Sequence, residues 1–85
     1  MSTQDLDKAL LLAHQNGDRA GLISLYAQAA DDREEKGDID AACFYLTHAF
    51  VFALQEGAPE QDELNRRLWE YGREERLPGS SETKS

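Results

Sequence analysis

Three side chains of this 85-residue chain are plausible soft metal ligands or nucleophiles: His14, His48 and Cys43. Cys43 and His48 are five residues apart, about 140° around a helix, so they do not share a face as ligands four residues apart would. There is also no glycine-rich phosphate loop and no Ser-His-Asp set at a suitable spacing. We expect a buried, inert Cys43, a structural His48, no catalytic residue, no metal and no cofactor.

An acidic run over residues 31–40 has the superficial look of a calcium-binding loop. If Gly37 takes the invariant glycine position of such a loop, the position that requires a bidentate glutamate is Cys43. The pattern therefore fails at its most diagnostic ligand. We expect the charged end of the second helix to project into solvent, followed by an Asp-capped turn.

Residues 60–76 contain the only cluster of arginines, four in number, interleaved with six acidic residues. Pairs of opposite charge along an exposed helix explain this pattern without any function. The alternative is a partner-binding surface formed by Arg66, Trp69 and Arg73, because Arg and Trp are the residue types most often found at binding hot spots.

Charge and composition exclude several classes of function. Seventeen acidic residues against nine basic ones give a formal net charge of −8, which repels nucleic-acid phosphate. No apolar run exceeds the length of residues 49–54, which is far shorter than a membrane span. The start of the chain lacks the pattern of a signal peptide, and a lone cysteine suits a reducing compartment, so we expect a cytoplasmic protein that contacts neither nucleic acid nor membrane.

Three glycines spaced twenty residues apart, Gly17, Gly37 and Gly57, divide the chain into four segments with helical periodicity. Glycine readily adopts the left-handed conformation that ends a helix, and Asp18 and Asp38 can cap the helices that follow. No segment alternates as a strand does. The predicted fold is all-α, with antiparallel helices over residues 3–16, 19–36, 38–56 and 59–77.

The third helix is the most apolar, so we place it at the centre of the domain. The helices could form stacked hairpins or a closed up-and-down four-helix bundle. We assign residues 1–77 to one domain and residues 78–85, which are too polar to pack, to a disordered tail.

The pair Gly37-Asp38 lies at the predicted turn between two helices and is flanked by large and small residues: Tyr26, Ala29-Ala30, Ala42, Leu46 and Ala49. Over about residues 23–54 this pattern resembles one tetratricopeptide repeat, since the family has characteristic large or small residues at these positions.

The chain also departs from the tetratricopeptide pattern. Arg33 replaces a family tyrosine, the expected proline comes late as Pro59, and two twenty-residue units exceed the family's 34-residue repeat. The resemblance therefore implies one repeat-like hairpin with a flanking helix on each side. It also implies an inner groove lined by Ser24, Ala27, Asp31 and Glu34, which is acidic and would suit a basic or mixed peptide.

These patterns favour a non-catalytic protein-interaction module that acts as an adaptor or associates with itself. A wide apolar stripe on the first helix and the apolar surplus of the third point to a homo-oligomer or a protein partner. Two alternatives remain: a small enzyme or ligand-binding bundle that uses His14, His48 or Cys43, and an acidic regulatory subunit that captures a basic protein.

Overall fold

The computed structural model describes residues 3–77, which form four helices. In the described part of the chain there is no strand, so the all-α prediction is confirmed. The helices are α1 (Thr3–Asn16), α2 (Arg19–Glu35), α3 (Ile39–Glu56) and α4 (Glu60–Glu70). The predicted tail, residues 78–85, lies outside the described residues.

The first three helices begin and end close to the predicted positions. Positive φ angles occur at each of the three evenly spaced glycines, which follow α1, α2 and α3. The Asp18 carboxylate accepts a hydrogen bond from the Gly21 amide at 3.0 Å, and Asp38 does the same for Ala41 at 3.2 Å. Both aspartates therefore cap the helix that follows them.

The fourth helix is shorter than predicted, since it ends at Glu70 rather than at residue 77. Gly72 takes a left-handed φ of 73°, and the Arg73 amide then donates to the Leu68 carbonyl at 2.9 Å. This pattern closes a helix and turns the chain back. Residues 73–77 consequently leave the helix and run alongside α4.

The third helix lies at the centre of the fold, as predicted. It packs against both α2 and α4, whereas α1 packs against α2. Small side chains of α3 allow these close approaches, and Ala42, Ala49 and Ala53 are fully buried. The core also contains larger apolar residues from three helices: Ile23, Leu46, Phe50, Leu64 and Leu68.

The helices form an open stack and not a closed bundle. In residues 3–77, backbones approach closely only between consecutive helices, and α1 and α4 do not meet. A closed four-helix bundle would bring the first and last helices together. The molecule is accordingly flat, with extents of 43 × 29 × 14 Å.

Candidate functional site

A groove with a cavity volume of about 290 Å³ lies between α2 and α4. The two helices present one face each to it, at the spacing of three and four residues that a helix requires. From α2 the lining residues are Ile23, Ser24, Ala27, Gln28 and Asp31; from α4 they are Glu60, Glu63, Leu64 and Arg67.

The groove combines an apolar floor with an acidic rim. Ile23 and Leu64 are buried members of the core whose edges reach the groove. Three carboxylates line it against a single guanidinium, so its net charge is negative at neutral pH. Within residues 3–77, the Glu60 side chain makes no hydrogen bond or ion pair. Such a groove can accept an apolar side chain together with a cation.

An ion-pair cluster closes one end of the groove. The Arg67 guanidinium donates to Asp31 Oδ1 at 2.7 Å and also to Glu34, and the Tyr71 hydroxyl donates to the other oxygen of Glu34. These contacts tie α2 to α4, whose backbones do not meet. The cluster therefore fixes the separation between the two walls.

The same cluster sets the ionisation of Glu34. Burial raises the pKa of this carboxyl, but the hydrogen bonds from Tyr71 and Arg67 outweigh burial and hold the pKa below its ordinary value. The Tyr71 pKa is raised in return, mainly because its hydroxyl donates to Glu34. Glu34 is therefore ionised at neutral pH.

The residues expected to line a groove on α2 fall into two groups. Ser24, Ala27 and Asp31 line the observed groove, whereas Glu34 lies beyond its end in the ion-pair cluster. The expectation that the charged end of α2 projects into solvent is wrong for Glu34, because Arg67 and Tyr71 cover it.

Arg66, Trp69 and Arg73 do not share one helix face, because Arg73 lies beyond the end of α4. Arg66 pairs along the helix with Glu63 and with Glu70, the latter at 2.8 Å. Arg73 instead reaches the start of α3, where it donates to Asp40 Oδ1 at 2.6 Å. The Trp69 ring lies 6.0 Å from the guanidinium carbon of Arg76.

The wall of the groove formed by α4 was not among the predicted site residues. Glu60, Glu63, Leu64 and Arg67 are spaced by three and four residues, so the sequence places them on one helix face. That spacing is a usable signal, but which other helix this face meets depends on the packing of α2 and α4 around α3.

The two histidines contribute to aromatic packing between helices. His14 Nε2 lies 3.1 Å from the Tyr26 hydroxyl, and the His48 ring stacks on the Tyr26 ring with centroids 5.0 Å apart. Phe52 stacks on the same ring at 5.9 Å. This cluster joins α1, α2 and α3, so both histidines have a structural role.

Cys43 is buried and lines a second, more open hollow of about 450 Å³, which His48 also lines. Desolvation raises the pKa of its thiol, although the charge of Arg73 opposes this effect. A nucleophilic cysteine requires a lowered pKa. The environment of Cys43 therefore raises the pKa of the thiol, whereas a nucleophilic role would need a lower pKa.

Asp32 and Asp38 of the acidic run stabilise local structure. Asp32 pairs with Arg33 at 2.9 Å and with Lys36 at 3.2 Å, and Asp38 caps α3. In the described part of the chain, no group of three or more His, Cys, Asp or Glu side chains is placed to hold a metal ion.

Several large apolar side chains remain exposed. Leu11 and Leu12 of α1 are 58% and 57% exposed, and α3 exposes Phe44, Val51 and Leu54. None of the helices described is both long enough and apolar enough to cross a bilayer.

Comparison with protein-family models, with curated protein sequences and with solved structures gives no match to this chain.

Proposed function

We propose that this chain is a non-catalytic, cytoplasmic protein-interaction module of helical-repeat type, which binds a basic and partly apolar segment of a partner protein between α2 and α4. The observation that carries the proposal is the groove itself, in which an apolar floor lies beside three carboxylates and one arginine. An extended or helical segment with Lys or Arg next to a Leu, Met or Phe has the complementary chemistry.

The ion pairs inside the groove indicate which carboxylates receive the partner. Asp31 is already engaged by Arg67, which also binds Glu34. Glu60 and Glu63 lie on the opposite wall and are exposed, and Glu63 is already paired with Arg66. An incoming cation therefore meets Glu60 first, while Arg67 and Asp31 keep the walls in place.

The charge of the whole chain supports the same kind of partner. A net charge of −8 creates a field that attracts basic segments and speeds their encounter with the protein. Packing of each helix on its sequence neighbour alone supports a repeat-like architecture, with Gly37-Asp38 at the central turn. The tetratricopeptide resemblance is part of this proposal.

Selection from a display library of short random peptides tests the proposal. We expect the full chain to enrich peptides in which Arg or Lys adjoins a large apolar residue. The double variant Glu60→Lys, Glu63→Lys should weaken binding of the selected peptide at least about tenfold, because it reverses the charge of one wall.

The matched control is Glu75→Lys, which makes the same change of charge per site at an exposed position on the segment that follows α4. This variant should bind the selected peptide nearly as well as the original chain. Enrichment of acidic peptides, or equal loss of binding in the control, would contradict the proposed groove.

A further inference from the structure

The outer face of α3 carries a narrow, mainly apolar stripe formed by Phe44, Val51 and Leu54 together with the polar Thr47. Their spacing of three, four and three residues is the heptad spacing of paired helices, and it confines them to a sector about 80° wide. Phe44 is 59% exposed, and Val51 and Leu54 are each 43% exposed. Within residues 3–77, this face is not covered by α2 or α4.

The hollow of about 450 Å³ opens beside the first half of this stripe. Its lining includes Asp40, Cys43, Phe44 and Thr47, which are related as i, i+3, i+4 and i+7. Four residues in this relation form the hole that receives one side chain from a facing helix. The stripe therefore offers both a hole near Phe44 and a projecting side chain, Leu54, about 15 Å along the helix.

The charges around the stripe favour a second copy as the occupant. Between Asp40 and Glu56 the sequence of α3 contains no charged residue. At the start of this face Asp40 is paired with Arg73 at 2.6 Å. Glu56 lies about 160° around the helix from the centre of the stripe, where it pairs with Arg19 of α2. This face is neutral on a chain of net charge −8, so two copies can meet here without bringing unpaired like charges together.

We propose that this stripe is a dimerisation surface, on which the α3 helices of two copies pair antiparallel about a two-fold axis. Leu54 of each copy then fills the hollow beside Phe44 of the other, and Thr47 faces Val51. Such an arrangement uses the same patch on both subunits, as a closed symmetric dimer requires. The proposal does not depend on the groove, which lies between α2 and α4.

Sedimentation equilibrium of the full chain tests the dimer. Because one helix face from each copy gives a small interface, we expect the mean mass to rise from one chain towards two between about 10 and 500 μM. Val51→Lys should weaken association at least about tenfold, because it places a charge at the centre of the apolar patch. Circular dichroism of the variant checks that its helices are retained.

The matched control is Leu11→Lys, at a similarly exposed leucine on α1 that lies outside the stripe. It should dimerise like the original chain. Thr47→Lys provides a second test at a position that is already polar and exposed, so it reports on pairing even if Val51→Lys fails to fold.

Mixing two variants tests the antiparallel arrangement. Thr47→Lys and Val51→Asp should each associate poorly alone, whereas their mixture should recover dimer because the introduced lysine of one copy meets the introduced aspartate of the other across the axis. A parallel pair would not bring these two positions together, so no recovery would overturn the arrangement.

Two other results would overturn the dimer itself: an original chain that stays monomeric at about 500 μM, or equal loss of association in Leu11→Lys and Val51→Lys. A monomer that instead binds an added amphipathic helix through Val51 would assign the stripe to another protein.

Discussion

At the scale of single residues, the polar side chain of Asn65 holds residues 75–77 in place. It is completely buried. Its amide donates to the Glu75 carbonyl at 2.8 Å, and its oxygen accepts from the Leu77 amide at 2.9 Å and from Arg76 at 2.8 Å. A buried amide with all these partners stabilises one arrangement, because any other would leave polar groups unsatisfied.

We predict that Asn65→Ala lowers the free energy of unfolding by about 2 kcal/mol, because it leaves buried partners without hydrogen bonds. Urea unfolding measures the loss, and hydrogen exchange should show a faster-exchanging Leu77 amide. Asn16→Ala, at an exposed position on α1, is the control and should change stability little. An unchanged urea midpoint for Asn65→Ala would contradict this role.

Glu34 makes the link between α2 and α4 dependent on pH. Tyr71 and Arg67 lower the pKa of Glu34 in the folded state, so its contribution to stability is complete above the pKa of the unfolded state, near 4.5. That contribution is lost as the pH falls through the lowered pKa of the folded state. The tie between the two walls should therefore weaken in acid and be unaffected between pH 6 and pH 8.

We predict that Glu34→Gln destabilises the chain at neutral pH by about 1 kcal/mol, since charge-assisted hydrogen bonds are lost in a partly screened site. The difference from the original chain should begin to shrink below about pH 4.5, where Glu34 of the unfolded chain takes up a proton, and should be lost below the lowered pKa of the folded state. Urea midpoints measured across pH check this, with the exposed neighbour Glu35→Gln as control. A difference that stays constant with pH would contradict it.

At the scale of elements, the helix ends show how much of the fold the sequence determines. The ends of α1, α2 and α3 follow from local chemistry, glycine at the stop and aspartate at the next start, and were predictable. The end of α4 was missed although Gly72 provides the same local stop, because Gly72 falls outside the twenty-residue spacing and residues 73–77 are compatible with a helix by composition. Asn65 then holds these residues alongside α4, and this contact spans residues ten to twelve apart in sequence.

We predict that Gly72→Ala lowers the free energy of unfolding by about 1–2 kcal/mol, because an L-residue must then adopt the left-handed conformation found at φ 73°. Gly72→Asn should lose less, since asparagine tolerates that conformation better. Thermal unfolding compares the two variants. If the Gly72→Ala variant is as stable as the original chain, α4 can continue as a helix through residue 72, and Gly72 does not determine where the helix ends.

At the scale of the whole molecule, the stack has two different ends. The α4 end is covered by residues 73–77, while the α1 end exposes Leu11 and Leu12. Terminal units of helical stacks ordinarily present a polar outer face. The asymmetry leaves the groove, the stripe on α3 and the outer face of α1 as three separate surfaces on one flat molecule.

The candidate site could be predicted only in part, because the pairing of its two walls depends on how the whole molecule packs. Ser24, Ala27 and Asp31 of the α2 wall were predicted from the tetratricopeptide resemblance around Gly37. The α4 wall is brought opposite by α3, which packs between the two helices. A sequence pattern gives the face of each helix but not which distant face it meets.

Amide chemical-shift mapping tests whether a basic and partly apolar partner segment binds between α2 and α4. A short synthetic peptide with two arginines beside a leucine is titrated into the labelled full chain. We predict that α1 is unaffected and that the largest shifts fall on residues that line the groove: Ser24, Ala27, Asp31, Glu60 and Glu63. Shifts confined to α1 or to the outer face of α3, or no shift at all, would contradict the account.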